Sequence, residues 1–136
     1  MTDATLSTLA RAETARLKQF AETLIEPLGD IEVVQSRTGL VMLPMRDTAQ
    51  GTAFHLGEVL VSEAHIRSQG HEGYGMRRGT DLQAAMAMAL VDLALQTGVS
   101  KETCEAFCAA EAAAQQADDT AVLRKVEATR VDMETF

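Results

Sequence analysis

The sequence predicts an α+β domain, and three observations carry that prediction. Residues 58–67 alternate, with Leu60, Ser62, Ala64 and Ile66 on one side and Val61, Glu63, His65 and Arg67 on the other, the period of a strand with one wet face. Residues 3–26 place Leu6, Leu9, Leu17, Phe20 and Leu24 near helical spacing, with no Pro or Gly among them. Residues 84–95 carry one charge, Asp92, in a run of Ala, Met, Leu and Val, so a helix there is buried on more than one face. Helix, then strands, then helices is an α+β order, with no linker or internal repeat. One domain over 1–136 is expected: helical to 30, sheet over 31–78, helices over 79–130 and a tail at 131–136.

Taken in order, the N-terminal element is one helix or two, because the polar patch 11–16 interrupts its apolar stripe. Pro27, followed by Gly29 and Asp30, ends it. Residues 31–35 and 40–43 read as strands about a Thr38-Gly39 turn signal, with Pro44 suited to an edge or bulge. Residues 47–51 turn again, 52–57 lead into the alternating strand, 69–73 turn, and 74–78 return. An antiparallel sheet of about four to five strands follows from such short connections. Thr80 and Gln83 stand at capping-box spacing before the buried helix, and Gly98 closes it. Residues 101–116 form a second helix, and Asp118-Asp119 offer an N-cap for a third over 120–129, with Val122, Leu123 and Val126 on one stripe.

Composition narrows the function. At 136 residues the chain can bury a real core, and 46% hydrophobic residues with both signs of charge describe a globular protein. A net charge of -8 and a pI near 4.8 argue against nucleic acid, which needs clustered cations. The N-terminus lacks an apolar signal core, and the longest apolar run falls short of the ~20 residues of a bilayer span, so a cytoplasmic location away from membranes is expected. Aromatics are 4%, with no Trp, against 7 Met. An Ala- and Met-rich core is adaptable and suits packing against partners.

Residue by residue, no self-sufficient active site emerges. Gly73 to Gly79, with Arg77 and Arg78 before a helix start, has the elements of an anion site. Its spacing is neither a dinucleotide fingerprint nor a P-loop, and Asp81 in the first turn repels phosphate, so a strand with surface arginines is the better reading. His55, His65 and His71, with Glu58, Glu63 and Glu72, would need the sheet to gather them into a metal or acid–base cluster. Cys104 and Cys108 share a helix face but are two ligands without a neighbouring His, hence plain thiols. No catalytic, cofactor or metal residue is assigned.

An ordered set of segments resembles a known family. These are Thr38-Gly39-Leu40-Val41; Phe54, Gly57-Glu58-Val59 and Val61; Ala64 and Ile66-Arg67; Gly73-Tyr74-Gly75 and Arg78-Gly79; Ala89-Leu90-Val91-Asp92-Leu93; and Ala128 through Arg130-Val131-Asp132 to Phe136. Together they resemble the PhnG family, the G subunit of the bacterial carbon–phosphorus lyase system. The resemblance implies a cytoplasmic core complex with H, I and J subunits, two copies of each, joined transiently by L. It also implies support for attack of a phosphonate on C1′ of the ATP ribose, adenine leaving, to give a ribose 1-phosphonate 5-triphosphate. ATP with magnesium belongs to the complex, the nucleosidase-like chemistry to the I subunit, and no cofactor to this chain alone. Tyr74, Met76, Arg77, Arg78, Met86, Arg130, Met133 and Phe136 are the candidate partner interface.

Two other classes compete: a stand-alone phosphate-ester enzyme using the histidines or Arg77 and Arg78, and a small-molecule-binding homodimer joined through the central helix. On the subunit reading, deleting residues 131–136 weakens assembly with the partner subunits and leaves the domain folded. Size-exclusion of the co-expressed proteins beside circular dichroism of the lone chain checks both halves; unchanged assembly would make the tail a solvated terminus.

Overall fold

The computed structural model describes the backbone of residues 3–46 and 53–134, and the side chains of residues 4–42 and 57–129. Two helices, α1 (Asp3–Arg11) and α2 (Thr14–Leu28), precede three strands, β1 (Glu32–Arg46), β2 (Ala53–Ser68) and β3 (His71–Arg78). Helices α3 (Leu82–Thr97) and α4 (Lys101–Glu134) complete the order. The sheet is antiparallel with order β1-β2-β3. The α+β class is as expected.

The polar patch after α1 is a break. Glu13 caps α2, its carboxylate accepting from the Arg16 backbone N–H at 2.7 Å. Pro27 sits in the last turn of α2, which ends at Leu28.

The expected four to five strands are three long ones. Thr38-Gly39 makes no turn: Thr38 pairs with Ser62 and Gly39 with Val61 inside one continuous β1. A long β2 supplies partners throughout, and this overrides the local turn signal. Likewise 53–57 and 58–67 are one strand. The turn expected at 47–51 lies outside the described residues. The β2–β3 turn is confined to Gln69 and Gly70, with φ of 51° and 81°, the geometry of a two-residue hairpin loop, so β3 begins at His71.

Helix α3 is buried from 84 to 94 except at half-buried Met86. One side lies on the sheet, against Ala64 and Ile66; the other meets Leu17, Ala21 and Leu24 of α2. Each large side chain fully buried here stabilises the fold by about 1.5–3 kcal/mol. The cap is Asp81, whose side chain accepts from the Ala84 N–H at 3.0 Å, rather than the Thr80–Gln83 pair expected. Gly98 closes the helix in the left-handed conformation, as expected.

The two C-terminal helices expected are one. No breaker separates 116 from 120, and Asp costs a helix interior only a fraction of 1 kcal/mol. Asp119 pairs with Arg11 of α1 at 3.0 Å instead of capping a new helix. The backbone stays helical to Glu134, through most of the expected tail. Among the described side chains α4 meets the body as far as Asp119, through buried Cys104, Phe107 stacked on Phe20, and Gln115 donating to Thr8 O at 2.9 Å. From 121 to 129 every side chain is exposed, Val122, Leu123 and Val126 included.

Two glycines let α3 lie this close to β3. A Cβ on Gly75 would meet the Ala85 carbonyl oxygen, and the Ala89 nitrogen at 2.9 Å; one on Gly73 would meet the Ala89 carbonyl oxygen, and Leu93 Cβ at 2.7 Å. The obstacles are helix backbone, which cannot swing aside. Gly75→Ala therefore costs about 3 kcal/mol in chemical denaturation, the upper end for overpacking. Gly39→Ala, where an added Cβ meets open space, stays within about 0.5 kcal/mol. Equal stabilities would mean that the helix is not seated on those glycines.

Candidate functional site

The face of the sheet turned away from α3 carries most of the functional-looking side chains. Cross-strand register brings Arg37, Glu63 and Met76 into one row, and Gln35, His65 and Tyr74 into the next. Toward the hairpin end these rows are ionic: Arg67 lies 3.8 Å from Glu32 and 3.6 Å from Glu72, and His65 Nε2 lies 3.5 Å from Glu72. Burial, and then the neighbouring Glu63 carboxylate, push the Tyr74 phenol above its ordinary range. These surface pairs are long and worth little individually.

Beyond the ionic rows the floor becomes apolar. A hollow of about 350 Å³ over Gly39, Val61 and Met76 runs into a groove of about 610 Å³ that shares Val41, Val61 and Met76 and ends at Arg11, Arg77 and Arg78. Arg77 is committed elsewhere. Its guanidinium donates to Leu9 O at 2.6 Å, Ala12 O at 2.8 Å and Thr14 Oγ1 at 3.3 Å, clamping the turn between α1 and α2. Two of these acceptors are carbonyls at the end of α1 and just past it, and of them Leu9 O also accepts from the Ala12 N–H at 3.3 Å. Burial lowers the Arg77 pKa, partly offset by Asp81 and Glu13.

Among the predicted interface residues, Tyr74, Met76 and Arg78 share the outer face of β3, while Arg77 turns inward to the α1–α2 turn. Met86 lies across the domain, in a hollow of about 260 Å³ between α2 and α3 with Lys18, Ile25 and Leu90. The side chains of Arg130 and Met133, and the whole of Phe136, lie outside the described residues.

The anion-site reading does not assemble. Asp81 occupies the start of α3 and pairs with Lys18 at 2.7 Å, which with the Ala84 N–H holds its carboxyl below the usual range. The histidine cluster does not assemble either. His65 faces Glu72, His71 is exposed at the hairpin, and the His55 side chain lies outside the described residues. Among the described residues no three His, Cys, Asp or Glu side chains could hold a metal. Both cysteines are free, and burial raises the Cys104 thiol to about 11 and also raises that of Cys108, so both stay protonated at neutral pH.

Sequence reasoning missed two side chains that position this face. One is Arg77 as a clamp; its alternation with Gly73 and Gly75 was the available signal. The other is Asp92, the lone charge of the apolar helix: buried, it accepts from the Tyr74 backbone N–H at 2.8 Å. Among the described residues no helix is long and apolar enough to cross a membrane.

A family model described as phosphonate metabolism protein PhnG matches residues 3–136. The alpha-D-ribose 1-methylphosphonate 5-triphosphate synthase subunit PhnG of Rhizobium meliloti strain 1021 is 35% identical over 130 residues, covering 94% of this chain and 83% of that protein. A candidate C-P lyase subunit protein of Stutzerimonas stutzeri, HtxH, is 32% identical over 109 residues, 71% of this chain and 29% of that protein.

The two arginines separate in stability. Arg77→Ala strands part-buried carbonyls and lowers unfolding free energy by about 3 kcal/mol, whereas Arg78→Ala stays within about 0.5 kcal/mol. Urea melts of the two variants check this; a benign Arg77→Ala would return that side chain to the list of free cations.

Proposed function

The chain belongs to the PhnG family of phosphonate metabolism proteins, and from that premise we propose that it is a non-catalytic subunit of a carbon–phosphorus lyase core complex. In this reading it assembles with the H, I and J subunits in the cytoplasm, and with L transiently. The complex joins ATP and an alkylphosphonate: a phosphonate oxygen attacks C1′ of the ribose, the bond to adenine breaks, and a ribose 1-phosphonate 5-triphosphate forms. ATP and magnesium are held elsewhere in the complex.

The observation that carries the reading is a contrast within this chain. Its described residues bring together no nucleophile, base and orienting group. Yet Leu40, Val41 and Met42 on the sheet, and Val122, Leu123 and Val126 on α4, stand in water without cover. A monomer rarely tolerates so much exposed apolar surface, while an assembly subunit needs it.

The test is the mass in solution of the chain alone and co-expressed with the H, I and J subunits. A fixed stoichiometric complex is expected. Adenine release from ATP and methylphosphonate, with L present, should then be lost when this chain is omitted, and the lone chain should release none. A stable lone monomer or dimer that ignores those subunits would overturn the reading in favour of the homodimer or the small enzyme.

A further inference from the structure

We propose that the free edge of β1, over residues 35–43, receives an extended strand from a different subunit. That strand carries a carboxylate opposite Arg37 and apolar side chains opposite Leu40, Val41 and Met42. The inference rests on the subunit reading above, and adds where a partner binds and in what form.

The sheet has two edges, and the fold treats them differently. At β3 an outward backbone N–H, that of Tyr74, donates to buried Asp92 of α3, so that edge is engaged from within the chain. At β1 no described element pairs with the outer edge. The phase of the ladder identifies its free groups. Gly79 N donates to Leu60 O at 2.9 Å, so Leu60 and every second residue of β2 from it direct their backbone groups toward β3. Val59, Val61, Glu63 and His65 then bond to their β1 partners Val41, Gly39, Arg37 and Gln35. The residues between, Ser36, Thr38, Leu40 and Met42, are left with N–H and C=O pointing away from the sheet.

Irregularities bound this stretch on both sides, between Val33 and Gln35 and between Leu43 and Pro44, and Pro44 has no N–H to give. The window spans roughly 30 Å at strand rise. Natural edges are usually blunted by several charges or short length. Here the stretch has one charge, Arg37, while Leu40 is 62% and Met42 52% exposed.

Regularly spaced backbone donors and acceptors, flanked by apolar side chains, are satisfied by a β-strand rather than by a helix or a small molecule. A second copy fits poorly. In every antiparallel self-pairing centred from Arg37 to Val41, the residue opposite Arg37 is another Arg37, Gly39, Val41, Leu43 or Met45, never a carboxylate. Each copy also brings a net charge of -8. Arg37 is available for a new acid: its pair with Glu63 is long, at 3.9 Å, its nearer partner is the neutral Gln35 amide oxygen at 3.1 Å, and its side chain is 62% exposed.

The test uses the full chain co-expressed with the H, I and J subunits. Thr38→Pro removes one outward N–H, which no described group accepts, at a position where edge strands admit proline; Thr38→Val keeps it. Thr38→Pro is expected to weaken assembly by about tenfold or more with an unchanged helical spectrum and melting temperature, and Thr38→Val to assemble like the parent. Hydrogen exchange should slow at Ser36, Thr38, Leu40 and Met42 by about 100-fold in the complex relative to the lone chain. Assembly with those amides unprotected, or unaffected by Thr38→Pro, overturns the strand site and leaves the subunit reading standing. Protection in the concentrated lone chain makes the occupant a second copy and overturns the proposal. Failure of the parent chain to assemble overturns both readings.

Discussion

The close seating of α3 on β3 is the constraint from which the rest of the fold follows. Gly73 and Gly75 supply the depth, and the small side chains of Ala85 and Ala89 bring helix backbone to within contact of strand backbone. At that separation the Asp92 carboxylate reaches the Tyr74 N–H, converting a buried charge into a cap for a strand edge. A buried carboxylate without donors is costly, so the pairing fixes how far the helix can slide along the strand. Leu90 and Leu93 are then directed to the remaining neighbours, and α2 closes the other side.

The helical layer is fastened by charge as well as by packing. Arg77 reaches from β3 to the carbonyls at the end of α1, and Arg16 of α2 holds buried Glu111 of α4 at 2.8 Å. The Arg16 guanidinium keeps that carboxyl below its ordinary range, so the contact is present at neutral pH and is lost as acid protonates Glu111. Together with Arg11 and Asp119, these contacts hold α4 as far as Asp119 among the described side chains. The helix runs roughly 50 Å at 1.5 Å per residue, and its second half projects with Val122, Leu123 and Val126 uncovered.

Much of this was legible in the sequence because burial leaves a periodic trace. The alternation over 58–67, the apolar run over 84–95 and the left-handed glycine at 98 each marked its element. Local signals that compete with long-range pairing were less informative: Thr38-Gly39 reads as a turn until a long β2 claims it, and Asp118-Asp119 reads as a cap until Arg11 claims Asp119. The outer face of β3 was partly legible, since Tyr74, Met76 and Arg78 alternate. Arg77 was read with them as a surface arginine, although adjacent strand residues face opposite ways and it turns to the α1–α2 turn.

The asymmetry between the two sheet edges links the fold to its use. Asp92 engages one outward N–H of the β3 edge from within the same chain, and in doing so gives the only charge of the central helix a structural task. The β1 edge has no such internal cover among the described residues, and it continues into a two-stranded ribbon beyond the last β3 pairing at Val61–Arg78. An isolated two-stranded ribbon is marginal in water, so the apolar residues along it find their stability in contact with something else. The sheet then has one edge fastened from within by a buried carboxylate and another that is open among the described residues, the edge proposed above for assembly. An occupant of that edge would cover the exposed Leu40, Val41 and Met42 side chains that the fold itself leaves in water.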